Sequence, residues 1–196
     1  MLDIPEIKLI VGLGNVGDKF ENTRHNLGSD LLFAIADKYH VRLENQSKFF
    51  GLTGRGDIEE QDLRLLFPTT YMNESGKAVG AICSFYRIDP TQVLVLHDEM
   101  DLPAGALRFK FDGGLAGHNG LRSIAKHLGS RQDFYRLRIG IGKKPNSEDN
   151  VNYVLSQPSP DEKSAIDHAM DGAMHGLQIL LREGVGKATT YINSFR

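Results

Sequence analysis

The chain has 196 residues, 40% of them hydrophobic and 24% charged, with a formal net charge of −2. That is enough for one domain with its own apolar core, and the balance excludes collagenous, disordered and uniformly basic classes. A lone cysteine, Cys83, excludes a disulfide framework and points to a reducing compartment, and no apolar run reaches the length of a membrane span.

Ile7 to Val11, apolar but for Lys8, predicts a buried strand, ending in Gly12-Leu13-Gly14. After a polar stretch from Asn15 to Thr23, Leu27, Leu31, Leu32, Ile35 and Tyr39 recur at helical spacing and predict a helix over about 25–40. Phe49 to Arg55 and Leu63 to Phe67 predict paired strands around a polar turn at 56–62. Asn73 is placed to cap a helix running to about Arg87, with Glu74 in its first turn and Asp89-Pro90 as its stop. Val93 to Leu96 predicts a second buried strand, and Leu107 to Phe111 alternates as a half-buried one. A glycine-rich loop at 113–120 leads into a short helix, Leu121 to Leu128, ended by Gly129. Tyr135 to Ile141 alternates again. Pro160 opens a long helix to Glu183 that Gly184 closes, and a last helix holds Ala188 to Phe195. Strands alternating with helices predict a single domain over residues 1–196, a three-layer α/β/α sandwich around a twisted mixed sheet.

The segment 104–144 carries nine basic residues against Asp112 and Asp133, a local balance of +7 that leaves −9 for the remainder. Such asymmetry suggests one phosphate-facing surface on an otherwise acidic protein. Scattered solvated side chains would give the same count. The N-terminal segment Met1 to Lys8 lacks the basic start of a signal peptide, so the cytoplasm is expected.

Gly12-Leu13-Gly14-Asn15-Val16-Gly17 fits the G-x-G-x-x-G pattern of dinucleotide folds. In those folds the helix starts inside the glycines and faces a pyrophosphate, whereas Asp18 to Thr23 delays the helix here. Asp37 and Glu44 are both poor matches to the acid that should bind a ribose. A tight turn presenting Asn15 at a strand's carboxyl end is the better reading.

Among seven histidines, His168 and His175 share a face of the long helix and are expected in solvent, while His40 and His127 end helices. His25 differs: it stands in Thr23-Arg24-His25-Asn26 at the start of a helix, where a cationic ring is disfavoured. A neutral imidazole is what a general base requires. His97-Asp98-Glu99-Met100-Asp101 follows the second buried strand, and its three acids allow a Mg²⁺ reading, though no phosphate loop accompanies them. If Asp98 meets His25 it can fix the ring's tautomer and stabilise the imidazolium. The nucleophile is then water. No G-x-S-x-G elbow is present, Cys83 falls on a core-facing helical pattern, and Ser75 and Ser123 are expected as helix caps. Asn15, Asn73 and Asn119 each stand near a loop–helix junction, where an amide offers both donor and acceptor without charge.

Taken together, Ile7 to Asn15, Thr23 to Asn26, Lys48 to Gly51, Pro68 to Asn73, Ser75 to Ala78, His97 to Glu99, Asp101 to Pro103, Gly117 to Gly120 and Arg136 to Gly142 resemble the bacterial-type peptidyl-tRNA hydrolase family. That resemblance implies cleavage of the ester between a peptide and the 3′ end of tRNA, recycling tRNA from chains that dropped off the ribosome, without a cofactor or metal. By position it makes His25 the base that activates water and Asp98 its partner. It has Asn15 contact the peptide part and reject unblocked aminoacyl-tRNA. Asn73 and Asn119 are to bind near the scissile ester, and Phe20 and Tyr71 to line the tRNA 3′ end. The expected partner is the acceptor arm of peptidyl-tRNA, met by a monomer with no obligate protein partner and with the +7 segment toward the phosphates. Three departures stand out: Val16 where the family usually has proline, Phe20 where it usually has tyrosine, and Leu115 and Ala116 where glycine is common. Two other readings stay open, a non-catalytic RNA-binding module with the same surface and the dinucleotide enzyme.

Overall fold

The computed structural model describes residues 3–145 and 149–196; Met1 and Leu2 of the N-terminal segment lie outside it. Seven strands form one mixed sheet: β1 (Leu9–Gly12), β2 (Glu44–Gln46), β3 (Gly51–Ile58), β4 (Gln61–Pro68), β5 (Val93–Glu99), β6 (Leu107–Phe111) and β7 (Tyr135–Gly140), in the order β2-β3-β4-β1-β5-β7-β6. The centre is parallel, β1 pairing with β4 and β5, and β5 with β7. The margins are antiparallel: β2 with β3, β3 with β4, and β6 with β7.

Alternation along the central strands sorts side chains to two cores. Ile10, Leu65, Leu94 and Leu96 point to one face, covered by α1 (Leu27–Lys38), α5 (Pro160–Glu183) and α6 (Val185–Asn193). Leu9, Val11, Leu66, Val93 and Val95 point to the other, covered by α2 (Ser75–Tyr86) and α3 (Asn119–His127). A strand covered on both faces must be apolar at every position, which is why β1 reads as an unbroken run. The expected three-layer α/β/α sandwich around a mixed sheet is what these layers make.

Four details depart from the sequence expectations. The β3–β4 turn is only Glu59-Glu60, both in the left-handed region at φ 52 and 64, not the whole stretch 56–62. Two-residue hairpins demand that geometry and usually recruit asparagine or glycine. Here Glu59 is held by an ion pair with Arg182 and by the Tyr39 hydroxyl, 2.5 Å away. Burial and that carboxylate push the Tyr39 hydroxyl up to about 12. Second, Asn73 does not cap α2; it sits in a 3-10 turn at Met72–Glu74, and Glu74 precedes the helix. Third, Ser75 and Ser123 are not caps of their own helices. Ser75 Oγ donates to the Met72 carbonyl, and Ser123, inside α3, accepts from the Gly76 N–H at 2.8 Å and so satisfies the exposed start of α2. Fourth, a helix without apolar periodicity, α4 (Asn150–Val154), is capped by Asp149, whose side chain accepts from the Asn152 N–H.

The N-terminal glycines serve packing. A Cβ on Gly28 would run into the Leu96 carbonyl oxygen, and one on Gly12 into the Leu32 side chain and the Gly28 carbonyl. Their absence lets α1 lie against the ends of β1 and β5, with the Ser29 N–H donating to the Leu13 carbonyl at 2.9 Å. Asp18–Phe20 and Arg24–Asn26 form separate 3-10 turns before α1 begins. The glycine pattern therefore brings a helix close to a strand and does not aim a helix N-terminus at a pyrophosphate.

Candidate active site

The second 3-10 turn carries His25 to the carboxyl end of β5, where Asp98 waits. β5 does not stop at Leu96: His97, Asp98 and Glu99 continue it, pairing with Arg138, Ile139 and Gly140 of β7. Polarity hides this extension in the sequence, because buried polar strand positions are spent on the site itself.

His25 and Asp98 are 6% and 1% exposed. His25 Nδ1 lies 2.9 Å from both Asp98 oxygens. The carboxylate can only accept, so Nδ1 carries a proton, and in the neutral ring the lone pair is on Nε2. A second ring completes the group: His118 Nε2 lies 2.9 Å from Asp98 Oδ1. Its tautomer is fixed from behind, since His118 Nδ1 faces the N–H groups of Gly120 and Leu121 at 3.1 and 3.3 Å and must accept them. His118 is thus both the N-cap of α3 and a donor to Asp98. Burial alone would raise the Asp98 carboxyl; the two imidazoles outweigh burial and hold it well below the usual carboxylate range.

Under this group lies His97, 1% exposed, whose Nδ1 donates to the Asp98 carbonyl at 2.7 Å while Nε2 has no partner among the described residues. Burial first, and the neighbouring His118 second, depress its proton affinity to about 3, so it is a neutral ring. His118 packs between His97 and His25, with ring centroids 5.0 and 4.9 Å away.

Asn15 is built into the same floor. Its N–H donates to Asn26 Oδ1 at 2.7 Å, and Asn26 Nδ2 returns a bond to its carbonyl at 3.0 Å. Asn15 Oδ1 accepts from the Met72 N–H at 2.7 Å, so what this amide can offer a ligand is its NH₂. Asn26 was not singled out by sequence reasoning, although its place directly after His25 was visible.

A cavity of ≈ 570 Å³ opens above this floor, and all seven predicted residues line it: Asn15, Phe20, His25, Tyr71, Asn73, Asp98 and Asn119. The members differ in setting. Phe20 is 9% exposed and Tyr71 63%, while Asn73 and Asn119 stand at the mouth, Asn119 Oδ1 accepting from Arg122 at 2.6 Å. His118 lies beside the more conspicuous Asn119 in the sequence; its signal is a histidine immediately before a helix, a capping position. Nothing in the sequence places the far wall, made by α4 through Asn150, Val151 and Val154. Of the departures, Ala116 occupies a left-handed conformation at φ 52, where glycine would be unstrained, and Leu115 packs on the core beneath the loop. Val16 is 44% exposed and makes no contact that explains it.

His25, Asp98 and His118 are the three groups among the described residues whose ligand atoms converge, within 4.8 Å, as metal ligands would. Both rings, however, present protonated nitrogens to Asp98, and His118's other nitrogen is filled by backbone. The three acids of the Mg²⁺ reading do not converge: Asp98 faces the histidines, Glu99 pairs with Arg138 at 2.9 Å, and Asp101 is exposed.

Opposite residues of β6 and β7 put four cations on one sheet face: Arg108 beside Arg138, and Lys110 beside Arg136. Like charges directly opposite are destabilising unless something anionic shares them. Burial and the two arginines lower Lys110, and burial lowers Arg136 to about 10. Arg136, 1% exposed, has no carboxylate partner of its own and donates instead to the carbonyls of Gly114 and Gln132, both at 2.6 Å.

A histidine bonded to a buried carboxylate beside an open cavity is an arrangement that general-base chemistry can use. The model of the family described as peptidyl-tRNA hydrolase matches residues 9–196. A peptidyl-tRNA hydrolase of Haemophilus influenzae is 50% identical over 191 residues, covering 97% of this chain and 98% of that protein. One of Mannheimia succiniciproducens is 52% identical over 192 residues, with the same coverage. The crystal structure of peptidyl-tRNA hydrolase from Acinetobacter baumannii superposes with a TM-score of 0.93 at 44% identity, covering 98% of this chain and 97% of that one. The chain belongs to the peptidyl-tRNA hydrolase family.

Proposed function

We propose that this protein hydrolyses the ester joining a peptide, or an N-blocked amino acid, to the 3′ end of tRNA, with His25 as the general base. The observation that carries this reading is the His25–Asp98–His118 chain of hydrogen bonds at the floor of the cavity. Water held against His25 Nε2 gives up its proton as it attacks the ester carbonyl. The resulting imidazolium is stabilised by Asp98, whose negative charge is kept in place by His118. The proton then passes to the departing ribose oxygen. The Asn15 NH₂ is aimed where a peptide carbonyl can accept from it, and the amides of Asn73 and Asn119 take the ester-bearing end. Tyr71 and Phe20 offer ring faces to the terminal bases. The phosphates of the acceptor arm meet Arg108 and Lys110 on this face, while Arg138 is paired with Glu99 and Arg136 is buried. The protein acts as a single chain that recycles tRNA from prematurely released peptidyl-tRNA.

The test is release of free tRNA from N-blocked aminoacyl-tRNA, with little action on the unblocked form. Comparable rates on the two forms would remove the role given to Asn15, and tRNA binding without release would favour an RNA-binding module.

A further inference from the structure

The residue before His25 spends a buried charge on a different part of the molecule. Arg24 is 7% exposed, and its backbone N–H donates to the Ser156 carbonyl at 3.0 Å. One guanidinium nitrogen reaches the Ser156 hydroxyl and the Tyr153 carbonyl; the other meets both Glu162 oxygens at 3.2 Å. The guanidinium also lies 4.2 Å over the Tyr153 ring. Tyr153, in turn, donates its hydroxyl to the Ile141 carbonyl at 2.7 Å, just beyond β7.

These contacts converge on α4 and the turn after it. A five-residue helix has no stability of its own and takes its position from what holds it. α4 is held on its inner side by Tyr153 and Arg24, and it turns Asn150, Val151 and Val154 toward the cavity. Burying a guanidinium costs it hydration, a cost an apolar residue would avoid, so its use here demands a return in geometry. That return is a fixed distance between the base and the facing wall, because Arg24 and His25 share one rigid 3-10 turn.

We propose that Arg24 and Glu162 form a clamp that positions α4 as the wall of the substrate cavity, making both of them positioning residues for binding the ester-bearing end of the substrate. The proposal rests on the assignment of the cavity as the substrate site. Glu162 also belongs to the capping box of α5, its carboxylate accepting from the Ser159 N–H while Ser159 Oγ accepts from its own N–H. The two duties are separable by mutation. Glu162→Gln keeps a side chain suited to the capping box but removes the charge that meets Arg24. Ser159→Ala weakens the same turn of α5 without touching the carboxylate.

Both variants are made in the full-length chain, alone and with Asn152→Cys. Asn152 is exposed on α4 and outside the cavity lining, and Cys83 is buried, so a fluorophore attaches to α4 alone. Glu162→Gln is expected to raise KM for N-blocked aminoacyl-tRNA ~10-fold with kcat held within about twofold, the mark of lost binding without lost chemistry. The anisotropy of the α4 label is expected to fall in the same variant. Ser159→Ala is expected to lower Tm while KM and anisotropy stay at wild-type values. Unchanged KM and anisotropy in Glu162→Gln overturn the proposal, as do equal shifts in Ser159→Ala. A fall in anisotropy with unchanged KM also overturns it, and places the fault in the assignment of the cavity, since the clamp would then hold a wall that substrate does not meet.

Discussion

On the floor of the cavity, His25, Asp98 and His118 are 6%, 1% and 9% exposed and are fixed by hydrogen bonds from several sides; at its mouth, Tyr71 is 63% exposed and Val151 58%. The floor is packed and polar, with each tautomer dictated by a neighbour that can only donate or only accept. The rim is open, and its side chains stand in solvent even where the backbone beneath them, as in α4, is held. Proton transfer needs groups held to within a fraction of an ångström before substrate arrives, whereas a flexible nucleic-acid end is met by faces and amides that can adjust. Chemistry on the floor and binding at the rim is the division this contrast supports.

Substitutions that respect this division should separate kcat from KM. The largest effect is expected for His25→Ala, with turnover lost by at least about 10²–10⁴-fold while the fold and tRNA affinity persist. Asp98→Asn comes next, with a smaller loss in kcat than His25→Ala: the base remains but its tautomer and imidazolium lose their support. A loss equal to that of His25→Ala would give Asp98 a more direct part. Tyr71→Ala moves to the rim, where one lost stacking partner is worth ~1–3 kcal/mol per base; KM should rise accordingly with kcat nearly unchanged. A kcat effect larger than the KM effect would break the comparison between floor and rim.

The smaller effects concern charge. The steepness with which kcat/KM falls on raising salt should lessen by about one ion in Lys110→Ala, measured as the slope of its logarithm against log salt. An unchanged slope would remove Lys110 from the phosphate face. Beneath the floor, His97 affects stability and not catalysis. Its proton affinity is depressed from an ordinary 6.5 to about 3, so below pH 6.5 the unfolded chain takes up the proton more readily than the folded one. The stability this ring supplies is complete above pH 6.5 and drains away toward pH 3, at up to about 1.4 kcal/mol per pH unit. Urea unfolding of His97→Asn at pH 7 and pH 5 should show a shallower acid loss than wild type; equal slopes would contradict the burial of a neutral ring.

Much of this molecule is legible in the sequence where one periodicity governs. The long α5 reads correctly at both ends because Pro160 and Gly184 mark them chemically. β6 reads correctly because one face is buried and the other is not. What stayed hidden involves residues doing two things at once. His97, Asp98 and Glu99 look like a loop because strand positions are seldom polar, yet they extend β5 by three residues. Glu59-Glu60 lacks turn chemistry and is held by Arg182 from a distant helix. His118 is a helix cap and a donor to Asp98 together, and nothing local connects it to Asp98, twenty residues earlier. α4 has no amphipathic signature and is placed by Arg24, far away in the chain. Motif recognition named the seven lining residues, but it could not say which are fixed and which are open.

The central claim, that the buried floor carries the chemistry, is tested most directly by single-turnover release of tRNA from N-blocked aminoacyl-tRNA by His25→Ala at saturating enzyme, where binding no longer limits the rate. The account predicts release at the uncatalysed background with tRNA affinity unchanged. Release near the wild-type rate would contradict it.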